Sequence, residues 1–135
     1  MKSIKRRSFL AAAATLTAGT AAMALPSMPY DDKKILVHHV FFWLKNPGSA
    51  ADRDELISGL KNLSKIESIR KIHIGVPADT EKRSVVEASW HVSELMFFDD
   101  LAGQKAYQDH PVHVAFAKDF SHLWEKVVVY DVEQV

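Results

Sequence analysis

The sequence predicts an α+β domain whose strands and helices follow the order β-α-β-β-α-β around one antiparallel sheet. Three observations predict it. The run Ile35 to Lys45 is dense in β-branched and aromatic residues, which fit a pleated, half-buried surface. Two later segments space their apolar residues as helices do. A second valine-rich run, Val127 to Tyr130, closes the chain.

The elements follow in order. In the first strand, alternation puts Val37, His39, Phe41 and Trp43 on one face and His38, Val40, Phe42 and Leu44 on the other. Both faces are largely apolar, as in a strand covered by helices on one side and by another layer on the second. Asn46-Pro47-Gly48 breaks the strand. Ser49, three residues before Asp52, resembles a capping box, and Leu56, Ile57, Leu60 and Leu63 give the helix that follows one apolar stripe. A second strand is predicted over 69–74 and a third over 84–97. Asp99 or Asp100 opens a short helix through Tyr107. His110-Pro111 interrupts it, and Pro111 suits the first turn of a new helix running to about Leu123. The last strand covers Glu125 to Val132. This is the ferredoxin-like order, with helices on one face of the sheet. The opposite face would be apolar and wet in a single subunit, so two sheets meeting face to face in a homodimer are expected.

The first residues have a different composition. Lys2, Lys5, Arg6 and Arg7 precede an uncharged Ala- and Thr-rich run, and Ala22-Met23-Ala24 offers small residues for cleavage after Ala24. Arg6-Arg7-Ser8-Phe9-Leu10 is a twin-arginine pattern. The expected organisation is a twin-arginine signal peptide over 1–24, a linker over 25–34 and one domain over 35–135. The domain would act in the periplasm or outside the cell, with no stable membrane span after cleavage.

Charge narrows the function classes. The chain carries 17 Lys and Arg against 17 Asp and Glu, and removal of the four bases of the first 24 residues leaves a net charge of −4. A mildly acidic domain without a basic cluster is a poor partner for nucleic acid or anionic membranes. With no cysteine, it must be held together by burial and subunit pairing.

All seven histidines lie in the expected domain, and histidine exchanges protons near neutral pH. One of His38 and His39 is expected to converge with His110 and His113. The two strand histidines point to opposite faces, so only one can line a given pocket. His113, Phe116, Ala117 and Phe120 share a helical face. With Tyr107, such a pocket could supply base and acid to an enolisable or phenolic substrate. The alternative is that His110 caps a helix and His113 sits at the edge of the core. His110 and His113 could also share zinc or copper with a strand histidine, but neither cysteine nor an HExxH spacing supports this, so no metal is expected. Phe41, Phe42, Trp43, Phe116, Phe120 and Trp124 read first as core.

Three segments together carry a family resemblance: His38 to Lys45, Tyr107-Gln108-Asp109-His110-Pro111-Val112-His113-Val114-Ala115-Phe116, and Leu123 to Val127. They resemble the stress-responsive A/B barrel (Dabb) family, over nearly all of residues 35–132. The Tyr-x-x-His-Pro-x-His element is the specific part. The resemblance implies a dimeric α/β barrel. One characterised member is a polyketide cyclase that forms olivetolic acid by an aldol condensation without a cofactor. Its catalytic tyrosine and histidine match Tyr107 and His113, and its first-strand pocket histidine matches His38 by a gap-free count. Val92 and Leu60 stand where that cyclase has a histidine and a tyrosine. The resulting expectation is a homodimer that binds a small, partly apolar molecule, without a cofactor. His113, Tyr107 and His38 would form the reactive group, and Val40, Phe42, His110, Phe116 and Phe120 would line the pocket. The alternative is a cofactor-independent cyclase or isomerase using the same residues.

Overall fold

The computed structural model describes residues 34–135. The expected signal peptide, and the expected linker up to residue 33, lie outside them. Strand β1 is Leu36–Leu44, helix α1 Ala50–Asn62, strand β2 Lys71–Gly75, strand β3 Val92–Phe98, helix α2 Leu101–Asp109, helix α3 Pro111–Phe120 and strand β4 Trp124–Glu133. Short 3-10 turns follow α1 and α3. The sheet order is β2-β3-β1-β4, and every neighbouring pair is antiparallel. This is the ferredoxin-like fold. No helix among the described residues is long and apolar enough to cross a membrane.

β1 is central, and register fixes what surrounds each of its residues. His38 lies between Met96 and Asp131, Val40 between Glu94 and Val129, and Phe42 between Val92 and Val127. Leu36, His38, Val40, Phe42 and Leu44 turn inward and are buried. They meet Leu56 and Leu60 of α1, Tyr107 of α2 and Phe116 of α3, which forms one core between the sheet and a single helical layer.

The helix ends follow their local chemistry. Ser49 caps α1 by accepting from the Asp52 amide at 3.1 Å. Asp52 does not reciprocate, because its carboxylate accepts from Asn46 Nδ2 at 3.0 Å. Asp100 caps α2, accepting from the Gly103 amide at 2.8 Å.

The third strand is shorter than expected: 84–91 lie outside it. β2 stops at Gly75, and Pro77, two residues on, has no N–H for a ladder. No strand is therefore present on that side to pair residues 84–90. On the other side, the His91 amide donates to the Phe42 carbonyl at 2.8 Å, and His91 Nδ1 accepts from the Leu44 amide at 3.0 Å. That side chain ends the ladder.

The sheet's second face carries Phe41, Trp43, Tyr130 and Val132. Tyr130 and Val132 are each more than half exposed. Trp90 folds over Phe41, with ring centroids 5.0 Å apart, and Tyr130 approaches the same ring at 6.0 Å.

Candidate functional site

The break between α2 and α3 builds the site. His110 adopts an extended backbone, φ −64° and ψ 135°, as a residue preceding proline tends to do. Two backbone groups thereby lose their helical partners: the Val112 amide and the Gln108 carbonyl. Histidine side chains satisfy both. His110 Nδ1 accepts from the Val112 amide at 3.1 Å, which makes it the N-cap of α3. His113 Nδ1 donates to the Gln108 carbonyl at 3.0 Å, because a carbonyl can only accept. The second bond folds the His113 ring back over Tyr107, with centroids 4.5 Å apart.

Tyr107 is the buried residue of α2 and points onto the sheet. Its ring lies 5.5 Å from that of His38 and 5.4 Å from that of Phe98. His38 donates from Nδ1 to Asp131 Oδ1, 2.6 Å away on the neighbouring strand. With Nδ1 engaged, each of His38 and His113 keeps Nε2 without a protein partner. Neither Nε2 is sealed away: among the described residues the buried, unpartnered side-chain polar atom is Ser68 Oγ.

These groups face one cavity of about 160 Å³. His38, Tyr107 and His113 form its polar end, and Val40, Phe42, Phe116, Trp124, Val127 and Val129 supply apolar wall. Phe42 and Phe116 both pack on Trp124, at 5.0 and 5.8 Å. An engineered apolar cavity of roughly 150 Å³ holds one benzene, so this space suits a single ring.

Two expected lining residues lie elsewhere. His110 is spent on capping α3, the alternative role weighed above. Phe120 stacks on Phe116 at 5.3 Å but lines an outer groove of about 280 Å³ between α1 and α3. Spacing alone put Phe120 with His113, but residues seven apart on one face stand two turns and about 10 Å apart along the axis, and Phe120 falls beyond the cavity. Among the described residues, no three His, Asp or Glu side chains are grouped to hold a metal ion.

Glu94 is the lining residue that sequence reasoning missed. It is 1% exposed and borders the cavity. The Tyr107 hydroxyl donates to its Oε1 at 3.1 Å. Burial pushes its carboxyl up to about 7, against a smaller opposing effect of the Tyr107 bond. Burial, with the Glu94 carboxylate second, holds the Tyr107 hydroxyl well above its ordinary range. His113 is pulled below the usual imidazole value, first by burial; its bond to Gln108 opposes this, and His38 adds to it. The signal for Glu94 was present. Alternation sets it in line with Val92, Met96 and Phe98, a lone acid on an apolar face. Val92, where the cyclase has a histidine, is fully buried, and the polar group on that face stands two residues further on.

Comparison with known proteins fits this architecture. Residues 36–134 match the family described as the stress responsive A/B barrel domain. A stress-response A/B barrel domain-containing protein of Arabidopsis thaliana is 30% identical over 79 residues, covering 58% of this chain and 69% of the relative. A dimeric protein of unknown function with a ferredoxin-like fold, from Bacteroides fragilis, is 26% identical. It superposes with a TM-score of 0.58 over 74% of this chain and 96% of its own. A hydroxynitrile lyase from Passiflora edulis, 24% identical, superposes with a TM-score of 0.64 over 76% of this chain and 95% of its own.

Proposed function

Because the chain belongs to the stress-responsive A/B barrel domain family, we propose that it is an exported, homodimeric pocket protein that binds a small, partly apolar molecule between His38, Tyr107 and His113. The observation that carries this reading is the convergence of those three side chains on one cavity with apolar walls. Cavities that bind small molecules combine this kind of wall with a few convergent polar groups. The apolar second face of the sheet and a dimeric neighbour of the same fold support the homodimer. Arg6-Arg7-Ser8-Phe9-Leu10 supports twin-arginine export and action outside the cytoplasm.

Titration with phenol, followed by NMR of the imidazole signals, tests the binding reading. Shifts confined to His38 and His113 are expected, and His113→Ala should weaken binding roughly tenfold, the worth of one lost polar contact. An unperturbed His113 at saturating phenol would overturn it.

A second reading, a cofactor-independent cyclase or isomerase, is favoured by one observation. A carboxyl held near 7 sits against a tyrosine beside a neutral-leaning histidine. Such displaced values suit groups that exchange protons at working pH. On this reading His113 Nε2 is the base and Tyr107 its partner. The fold houses catalysis in the Passiflora lyase. His113→Ala should then abolish turnover of an enolisable substrate while the folded pair persists, and retained turnover would remove His113 from the chemistry.

A further inference from the structure

We propose that Glu94 fixes Tyr107 as a hydrogen-bond acceptor, so that the cavity selects a small ring bearing a hydroxyl over the same ring bearing a carbonyl. The inference rests on the binding reading above and names the class of ligand that site takes.

A tyrosine hydroxyl carries one proton. In this structure that proton is directed to Glu94 Oε1, which leaves the Tyr107 oxygen its lone pairs. The histidines repeat the pattern. His113 commits its Nδ1 proton to the Gln108 carbonyl, and His38 commits its own to Asp131. A neutral imidazole with Nδ1–H presents a bare lone pair at Nε2. The rings of His38, Tyr107 and His113 are in mutual contact through Tyr107, so three acceptors gather at one end of the cavity. Gln108 Oε1 accepts from Gln104 Nε2 at 3.4 Å, and the donors along the rest of the wall are the Gln108 amide N–H groups and the indole N–H of Trp124, which packs with Phe42 and Phe116. A guest that supplies a hydrogen satisfies the cluster. A guest that offers only lone pairs leaves it unsatisfied, and an unpaired buried polar group costs more than a formed bond gains. Glu94 is thus a positioning residue that acts through Tyr107.

Cyclohexanol and cyclohexanone test this, being nearly equal in size and different in donor capacity. Calorimetric titration of the purified protein in mildly alkaline buffer should show the alcohol binding roughly tenfold more tightly than the ketone, the worth of one hydrogen bond. In Glu94→Gln the new amide can donate to the Tyr107 oxygen and free its O–H toward the cavity. Both probes should still bind, with the alcohol preference reduced to near unity. Equal binding in the wild type, a preference for the ketone, or an unchanged preference in Glu94→Gln each overturns the assignment. Should that variant not fold, Tyr107→Phe serves instead: it deletes the acceptor, and an undiminished alcohol preference there is equally fatal. If neither probe binds the wild type, the binding reading itself falls and takes the inference with it. That outcome is distinct from two probes that bind alike.

Discussion

Burial holds the Glu94 carboxyl at about 7 against an ordinary 4.5, and the displacement has a direction in stability. Between those values the folded state keeps a proton that the unfolded chain has released. Stability from this group is therefore full below 4.5 and is lost as pH rises through 7. At about 1.4 kcal/mol per unit, the loss approaches ~3 kcal/mol in alkaline buffer. Glu94→Gln escapes it. In urea titrations the variant should gain on the wild type between about pH 5 and pH 8, by up to that amount. His113 acts oppositely, since its lowered value makes stability fall as pH drops below the ordinary imidazole range. The comparison is therefore read as a difference between two proteins that share His113. A gap that stays constant with pH would contradict the buried carboxyl.

Tyr107 tunes the same group. Its bond holds Glu94 lower than burial alone would, so Tyr107→Phe should raise the Glu94 titration, read by carbon NMR of the carboxyl. The variant should also cost about 1–3 kcal/mol where Glu94 is charged, the penalty for a buried acceptor without its donor. At this scale the sequence was partly legible. Tyr107 and His113 stood in a specific motif, and strand alternation separated His38 from His39. Glu94 was readable as a lone acid in line with Val92 and Met96 but gave no sign of its partner, because Tyr107 reaches it from a different element, and Phe120 was misplaced because a helical face is longer than one pocket.

The break at His110-Pro111 lets α2 and α3 present Tyr107 and His113 to one space. Two histidines close the backbone groups that the break leaves open. His110→Ala should therefore cost about 1 kcal/mol through loss of the α3 cap, as other N-cap truncations do, and should leave ring binding intact. Chemical denaturation together with a phenol titration separates the two effects.

α1 meets α3 at Gly59, where an added Cβ would lie 2.8 Å from the Phe120 ring. Gly59→Ala should destabilise by roughly 1–3 kcal/mol, the cost of overpacking a close contact. Gly59→Ala combined with Phe120→Leu should recover part of that loss, and strict additivity would show the two sites independent. The existence and order of the elements were readable from local signals: Ser49, Asp100, Pro111 and the apolar stripe of α1. The start of β3 was not, because pairing decides it, and pairing depends on Pro77 and on the His91 side chain, both remote from a propensity window.

For the whole molecule, the proposed pairing rests on the face bearing Phe41, Trp43, Tyr130 and Val132. A protein comprising residues 34–135 should sediment as a pair, and Phe41→Asp should sediment as single subunits, because a charge at the centre of an apolar contact is costly to desolvate. A wild type that stays single at high concentration would refute the proposed homodimer. The two-sided hydrophobicity of β1 is the sequence feature on which the proposed pairing rests, and solved neighbours of the same fold are dimeric.

β4 is a shared wall. Val127 and Val129 border the chamber, Asp131 anchors His38 from the same side, and Tyr130 and Val132 alternate to the opposite surface. Were a guest to lean on one side of this ribbon and a mate on the other, reciprocity would apply: whatever factor pairing added to the guest's affinity, the guest would return to pairing. Where that factor exceeds one, dilution does more than separate the subunits, because it also lets the small molecule go.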